Sequence, residues 1–219
     1  MSLSKTPAPA TSTNAEDKRL QIWPKSGEIN DSKFDFVFFM RNRKVIGLEI
    51  SSIAIVMPSL VRLYLRCKKG TPEEIRNELK TCEERILELK DFPIRQERVP
   101  ESEAVLLERK QNPLQIWGKT KQHETEVDGW QTFHWIYMKK KGNTVNFEAG
   151  SIPYILRQLT TMFLESSCRS IQEVNSIMSK CYEKVDDFEK EEEMLREALA
   201  AAGGTSPKEQ AETIELDSE

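Results

Sequence analysis

The sequence predicts an α+β fold of two tandem repeats, each an antiparallel β-hairpin sheet followed by helices. The repeats are expected to form one pseudo-twofold domain with a long C-terminal helix. Residues 34–65 are echoed without a gap by residues 133–164, an offset of 99 positions. Leu20-Gln-Ile-Trp23 returns as Leu114-Gln-Ile-Trp117 ahead of the second copy. After each copy comes an apolar stripe of helical spacing, again at the same offset. Over residues 34–90, nine of 57 aligned positions are identical: Phe34, Glu49, Ser52, Ile53, Leu60, Leu65, Glu74, Cys82 and Glu84. Two short halves of this kind bury more surface against each other than alone, which favours one domain over two.

Residues 1–19 are rich in Ser, Thr, Pro and Ala with little to bury, so a disordered leader is expected. The first repeat occupies 20–93, a charged linker with a short helix near residues 102–110 occupies 94–113, and the second repeat occupies 114–202. An acidic tail, 203–219, is expected to be disordered. Within each repeat LQIW is followed by a polar connector. The LQIW offset is 94 rather than 99, so the second repeat carries five extra residues before its hairpin. Phe34, Phe36, Phe38 and Met40 alternate with Asp35, Val37 and Phe39, a strand pattern with apolar residues on both faces. Arg41-Asn42-Arg43-Lys44 makes a basic turn before a return strand from Val45. The second hairpin turns through Lys139-Lys140-Lys141-Gly142-Asn143, with Gly-Asn supplying residues tolerant of positive φ. The β-branched run from Ser52 to Met57 reads as another short strand, after which Pro58 and Pro153 stand at the first turns of helices.

A second helix follows in each half. Thr71-Pro-Glu-Glu74 and Ser170-Ile-Gln-Glu173 are capping boxes, a hydroxyl at the N-cap and a glutamate three residues on. Ile75, Leu79, Cys82, Ile86 and Leu89 repeat as Val174, Met178, Cys181, Val185 and Phe188. Cys82 and Cys181 are thus explained as core thiols. Asp91-Phe-Pro93 closes the first of these helices, and the last one continues through Leu195 and Leu199 to Gly203-Gly204.

Composition narrows function. No secretory signal or apolar membrane span is apparent and the four cysteines lack CxxC spacing, so an intracellular chain, nuclear or cytoplasmic, with no membrane association is expected. No phosphate-cradling glycine loop or metal-ligand spacing occurs, so neither cofactor nor metal is expected. His123 and His134 have no evident nucleophile partner. Glu49 and Glu148 form a carboxylate pair that a twofold could unite, but the plainer reading is that each is a strand residue facing solvent or pairing with a basic neighbour. The chain is read as a non-enzyme.

The net charge of −4 hides a strong asymmetry. Residues 33–69 hold eight basic and two acidic side chains, and residues 133–169 hold five and two. Residues 183–219 hold thirteen acidic and four basic ones. Aromatic platforms beside lysine and arginine suit single-stranded nucleic acid, because bases stack and phosphates pair. The residues so assigned are Arg41, Arg43, Lys44, Lys139, Lys140 and Lys141 at the tips, with Phe36, Phe38, Trp135 and Tyr137 beside them. Aromatic core under the helices, with ordinary solvated tips, is the alternative.

A strand, an aromatic–basic hairpin and an Ile-x-Ile-x-x-Pro entry into an amphipathic helix, duplicated, resemble the repeats of Pur-alpha and, more distantly, of Whirly proteins. The resemblance covers residues 34–65 and 133–164, about 64 of 219 positions. It implies intertwined sheet-plus-helix halves that bind single-stranded DNA or RNA on curved sheets. The extra capped helix in each repeat and the acidic net charge depart from that pattern. A protein-interaction or scaffold subunit is the competing class. Phe188, Leu195 and Leu199 are its candidate seam, a coiled coil with a protein partner or a second copy of the chain. Finally, Thr213-Ile-Glu-Leu-Asp-Ser-Glu219 resembles a SUMO-interacting segment, which adds a strand to its partner's sheet edge.

Overall fold

The computed structural model describes residues 19–29, 32–67, 70–89, 110–125, 129–166 and 171–201. It is α+β, with two three-stranded antiparallel sheets and four α-helices among the described residues. The first sheet has the order β1 (Gln21–Ile29), β2 (Ser32–Arg41), β3 (Lys44–Glu49). A 3₁₀ turn at Ile50–Ser52 leads into α1 (Ile53–Arg66), and α2 (Pro72–Leu89) follows. The order then recurs. β4 (Gln115–Thr125), β5 (Gly129–Lys140) and β6 (Asn143–Glu148) form the second sheet, and a 3₁₀ turn at Ala149–Ser151 precedes α3 (Ile152–Glu165) and α4 (Ile171–Ala201).

The strand registers keep the sequence offsets. Phe36 pairs with Glu49 and Trp135 with Glu148, while Trp23 pairs with Phe38 and Trp117 with Tyr137. The LQIW residues therefore belong to the sheets. What reads as a polar connector is the rest of β1 and β4, because backbone pairing to β2 and β5 offsets the poor strand propensity of Pro24, Lys25, Ser26 and Gly27. The five extra residues of the second half fall at the far end of the β4–β5 hairpin, which has two further rungs, Glu124–Trp130 and Thr125–Gly129.

Both β2–β3 and β5–β6 turn through two residues in the left-handed region, Asn42 (φ 52°) and Arg43 (φ 63°), then Lys141 (φ 50°) and Gly142 (φ 78°). Two successive positive φ values match the right-handed twist of the flanking strands. The second turn thus uses Lys141-Gly142 rather than Gly142-Asn143.

The predicted strand at Ser52–Met57 is instead the start of α1. Ile53, Val56, Met57, Leu60, Val61, Tyr64 and Leu65 recur at helical spacing and are buried, and that burial outweighs the β preference of Ile53-Ala-Ile-Val. Pro58 lies inside the helix rather than at its first turn, whereas Pro153 does open α3. At Thr71 the capping box forms both bonds: the Thr71 N–H donates to Glu74 Oε2 (2.9 Å), and the Glu74 N–H to Thr71 Oγ1 (3.2 Å). Ser170, the leader, most of the linker, the Asp91-Phe-Pro93 stop and the tail beyond Ala201 lie outside the described residues.

One buried cluster runs through both halves. Val37, Phe39, Ile46 and Leu48 of the first sheet, and Ile136, Met138, Val145 and Phe147 of the second, face the helices. The helices exchange partners: α1 packs chiefly on α4, and α2 on α3 and α4, while α1 also reaches β4 and α3 reaches β1. Ile75, Leu79, Cys82, Val174, Met178, Cys181 and Val185 are buried as the stripes predict. Burial pushes the Cys82 thiol up to about 11 and Cys181 to about 12, the latter also through its neighbour Cys82, so both stay protonated and unreactive near neutrality.

Candidate nucleic-acid interface

Because strand side chains alternate, burying Val37 and Phe39 under the helices turns Phe36, Phe38 and Met40 to the opposite face. These three are half-buried there. In the second sheet the burial of Ile136 and Met138 does the same for Trp135 and Tyr137. All four aromatic residues assigned from the sequence therefore lie on the sheet faces away from the helical layer, and the core alternative holds for Phe39 and Phe147 instead.

Two aromatic residues missed from the sequence complete this surface. Trp23 stacks on Phe38, centroids 5.6 Å apart and planes 15° apart. Trp117 stacks on Tyr137 at 5.4 Å and 11°. Their signal was the repeated LQIW itself, read as a marker of duplication rather than as strand. The cross-strand rows also bring in lysines. Lys25 lies opposite Phe36, Lys119 opposite Trp135 and Lys121 opposite Phe133, and all three lysines are exposed. Gly47, opposite Phe38, leaves room for that ring: a Cβ there would sit 2.7 Å from Phe38 Cε1. In the second sheet Asn146 stands opposite Tyr137.

The hairpin tips divide into two roles. Arg43, Lys44, Lys139 and Lys141 are exposed, and Lys140 is half-buried. Arg41 is committed inward. Its guanidinium lies 4.7 Å from the centre of the Trp135 ring, and its Nη1 donates to the Asn146 carbonyl at 3.1 Å. It thereby ties the β2–β3 tip to the second sheet, where β3 and β6 run beside each other without joining into one sheet. A cation over an indole contributes about 0.5–2 kcal/mol, depending on desolvation.

Glu49 and Glu148 occupy equivalent register positions but unlike surroundings. Glu49 is 8% exposed and its Oε2 accepts from Ser51 Oγ at 3.4 Å, whereas Glu148 is exposed. His134 lies with Nδ1 3.1 Å from Thr120 Oγ1 across the β4–β5 ladder, which accounts for it structurally. The His123 side chain lies outside the described residues.

The last helix separates into a packed part and an overhang. Phe188 packs partly against the core. Arg76 of α2 holds Asp186 (2.7 Å) and both oxygens of Glu189, and Arg62 and Arg66 of α1 reach Glu191 at 3.8 and 3.3 Å. Beyond Glu191 every described side chain is exposed, including Met194 (62%) and Leu195 (66%). Among the described residues no group of acids, histidines and cysteines is placed to hold a metal, and no helix is long and apolar enough to cross a membrane. Comparison with protein-family models, curated proteins and solved structures finds no match to the chain.

Proposed function

We propose that the chain binds single-stranded nucleic acid, DNA or RNA, on the sheet faces that point away from the helices. One observation carries the reading: stacked aromatic pairs, Trp23–Phe38 and Trp117–Tyr137, share that face with Lys25, Lys119 and Lys121. Flat rings within a groove of positive charge match unpaired bases and their phosphates, and a duplex, whose bases are already stacked, gains little from them. Arg43, Lys44, Lys139, Lys140 and Lys141 extend the positive charge to the tips. Arg41 positions Trp135 and the seam between the sheets. The reading needs no catalytic residue, no cofactor and no metal, and it places the chain inside the cell, nuclear or cytoplasmic.

The same proposal includes the tandem duplication and pseudo-twofold, with the repeats bounded at 20–93 and 114–202 and a Pur- or Whirly-like ancestry. Its support is contact between counterparts. Tyr182 donates to Glu83 at 3.1 Å, and these residues stand 99 positions apart. Cys82 and Cys181, one position earlier, are neighbours in the core. Residues that touch their own counterparts belong on a twofold axis.

Replacing Tyr137 with Ala tests the platform. The expected result is a loss of about 1–3 kcal/mol in single-strand binding with the salt dependence unchanged. If the melting temperature falls instead and binding follows only through unfolding, Tyr137 is a packing residue.

The exposure of Met194, Leu195 and Leu199 favours a second reading, a non-enzymatic scaffold subunit that oligomerises through its long helices. Changing Leu195 and Leu199 together to Lys is expected to halve the mass seen by light scattering while leaving the melting temperature within about 2 °C, since exposed sites contribute little to stability. An unchanged mass removes this reading.

A further inference from the structure

β4 is an edge strand. It pairs with β5 along its whole length, and among the described residues no strand lies on its other side. Such an edge presents alternate N–H and C=O groups to any extended chain of suitable chemistry. The counterpart edge, β1, is blunted by Pro24, which stands opposite Val37 and has no N–H to give. At the equivalent place β4 carries Gly118, opposite Ile136. The ladder of donors from Gln115 to Thr125 is therefore unbroken.

The surroundings define what fits. A Cβ on Gly118 would lie 3.5 Å from both Leu63 Cδ2 and Cys67 Sγ, which are only partly buried. The end of α1 thus makes an apolar ledge along the inner side of the edge. On the outer side Trp117, Lys119 and Lys121 are exposed. An incoming strand should carry apolar side chains at every second position, over the ledge, and acids at the positions between them, beside the two lysines. A second copy of β4 meets this poorly, because lysines would face lysines.

We propose that β4 is a strand-addition site and that its occupant is this chain's own segment Thr213-Ile-Glu-Leu-Asp217. Ile214 and Leu216 supply the apolar parity, and Glu215 and Asp217 the acidic one. The reach is sufficient. Arg62 and Arg66, at the end of the same α1 that underlies β4, hold Glu191. From there α4 runs to Ala201, about 15 Å at the helical rise. Residues 202–213 span up to about 40 Å when extended, enough to return to the edge. Tethering raises the effective concentration into the millimolar range, so a short strand binds without high intrinsic affinity. This assignment does not rest on the nucleic-acid reading, although a docked tail would share Lys119 and Lys121 with that face.

Hydrogen exchange on the full chain and on a chain ending at Gly204 provides the test. The β4 amides pointing away from β5 are expected to exchange at least tenfold faster in the shortened chain, in an alternating pattern, with β5 unchanged. A synthetic peptide of residues 211–219 should restore protection, and the same peptide with Ile214 and Leu216 both changed to Asp should not. Equal exchange in the two chains overturns the proposal. Protection that survives the truncation but vanishes on dilution assigns the edge to a second copy of β4 and also overturns it. Protection of the full chain that vanishes on dilution means the tail comes from another molecule, which overturns the intramolecular assignment.

Discussion

At the level of single residues, two positions separated by 99 in the chain show how a basic tip is fitted to a turn. Gly142 adopts φ 78° freely, while its counterpart Arg43 holds φ 63° with a side chain attached. A left-handed conformation costs an L residue about 1–2 kcal/mol, and glycine gives back about 0.5–1 kcal/mol through the unfolded chain. Arg43→Gly is therefore expected to raise stability by about 0.5–1 kcal/mol in a denaturant titration. If Arg43 contacts a phosphate, the same change flattens the salt dependence of single-strand binding by about 0.7 of a slope unit. A residue that improves folding when removed and weakens binding is one retained for binding; a variant that is less stable means that the side chain's own interactions outweigh the turn term. The tip cations were legible in the sequence because hairpin turns are polar and exposed. The inward role of Arg41 was not, since nothing local says that its guanidinium meets Trp135, 94 positions later, across the seam.

At the level of elements, helix α1 shows where local preference misleads. Ile53-Ala-Ile-Val has strong strand propensity, yet Ile53, Val56, Met57, Leu60 and Val61 form a helical face that the core accepts, and tertiary burial decides the outcome. The periodicity is present in the sequence and extends past Pro58, a proline that suggests a first turn although the helix runs through it. The stripes of α2 and α4 were legible because their apolar residues are separated by charged ones, which makes the period unambiguous. Opposite charges also fasten these two helices. Hydrogen bonds from Arg76 hold the Glu189 carboxyl below its usual range. A carboxylate with a lowered pKa stabilises the fold at pH above the ordinary glutamate range, and that contribution is lost as pH falls through the folded value. Arg76→Leu is accordingly expected to cost about 1 kcal/mol or less at pH 7, as suits an exposed network, and less at pH 3. Thermal melts of both chains at the two pH values check this. A cost that is equal at both would mean the arginine acts by packing.

At the level of the whole molecule, the helices lie on one side of the sheets and exchange partners between halves, which leaves the opposite sheet faces uncovered by them. Those faces carry Trp23, Phe36 and Phe38 on one sheet and Trp117, Trp135 and Tyr137 on the other, with β3 beside β6 and Arg41 spanning the seam. The echoed sequence pattern made the order of elements readable, but it could not say which face of a strand with apolar residues on both faces the helices would cover. That depends on the helical layer covering Phe39 and Met138 rather than Phe38 and Tyr137, a choice made by long-range packing. The most direct test of the account is a titration of the intact chain with single-stranded DNA, single-stranded RNA and duplex across a salt series. The account predicts binding to single strands well above duplex, with log affinity falling linearly in log salt at a slope of roughly −0.7 for each phosphate held. Absence of measurable single-strand affinity even at low salt, or equal affinity for duplex, would contradict it.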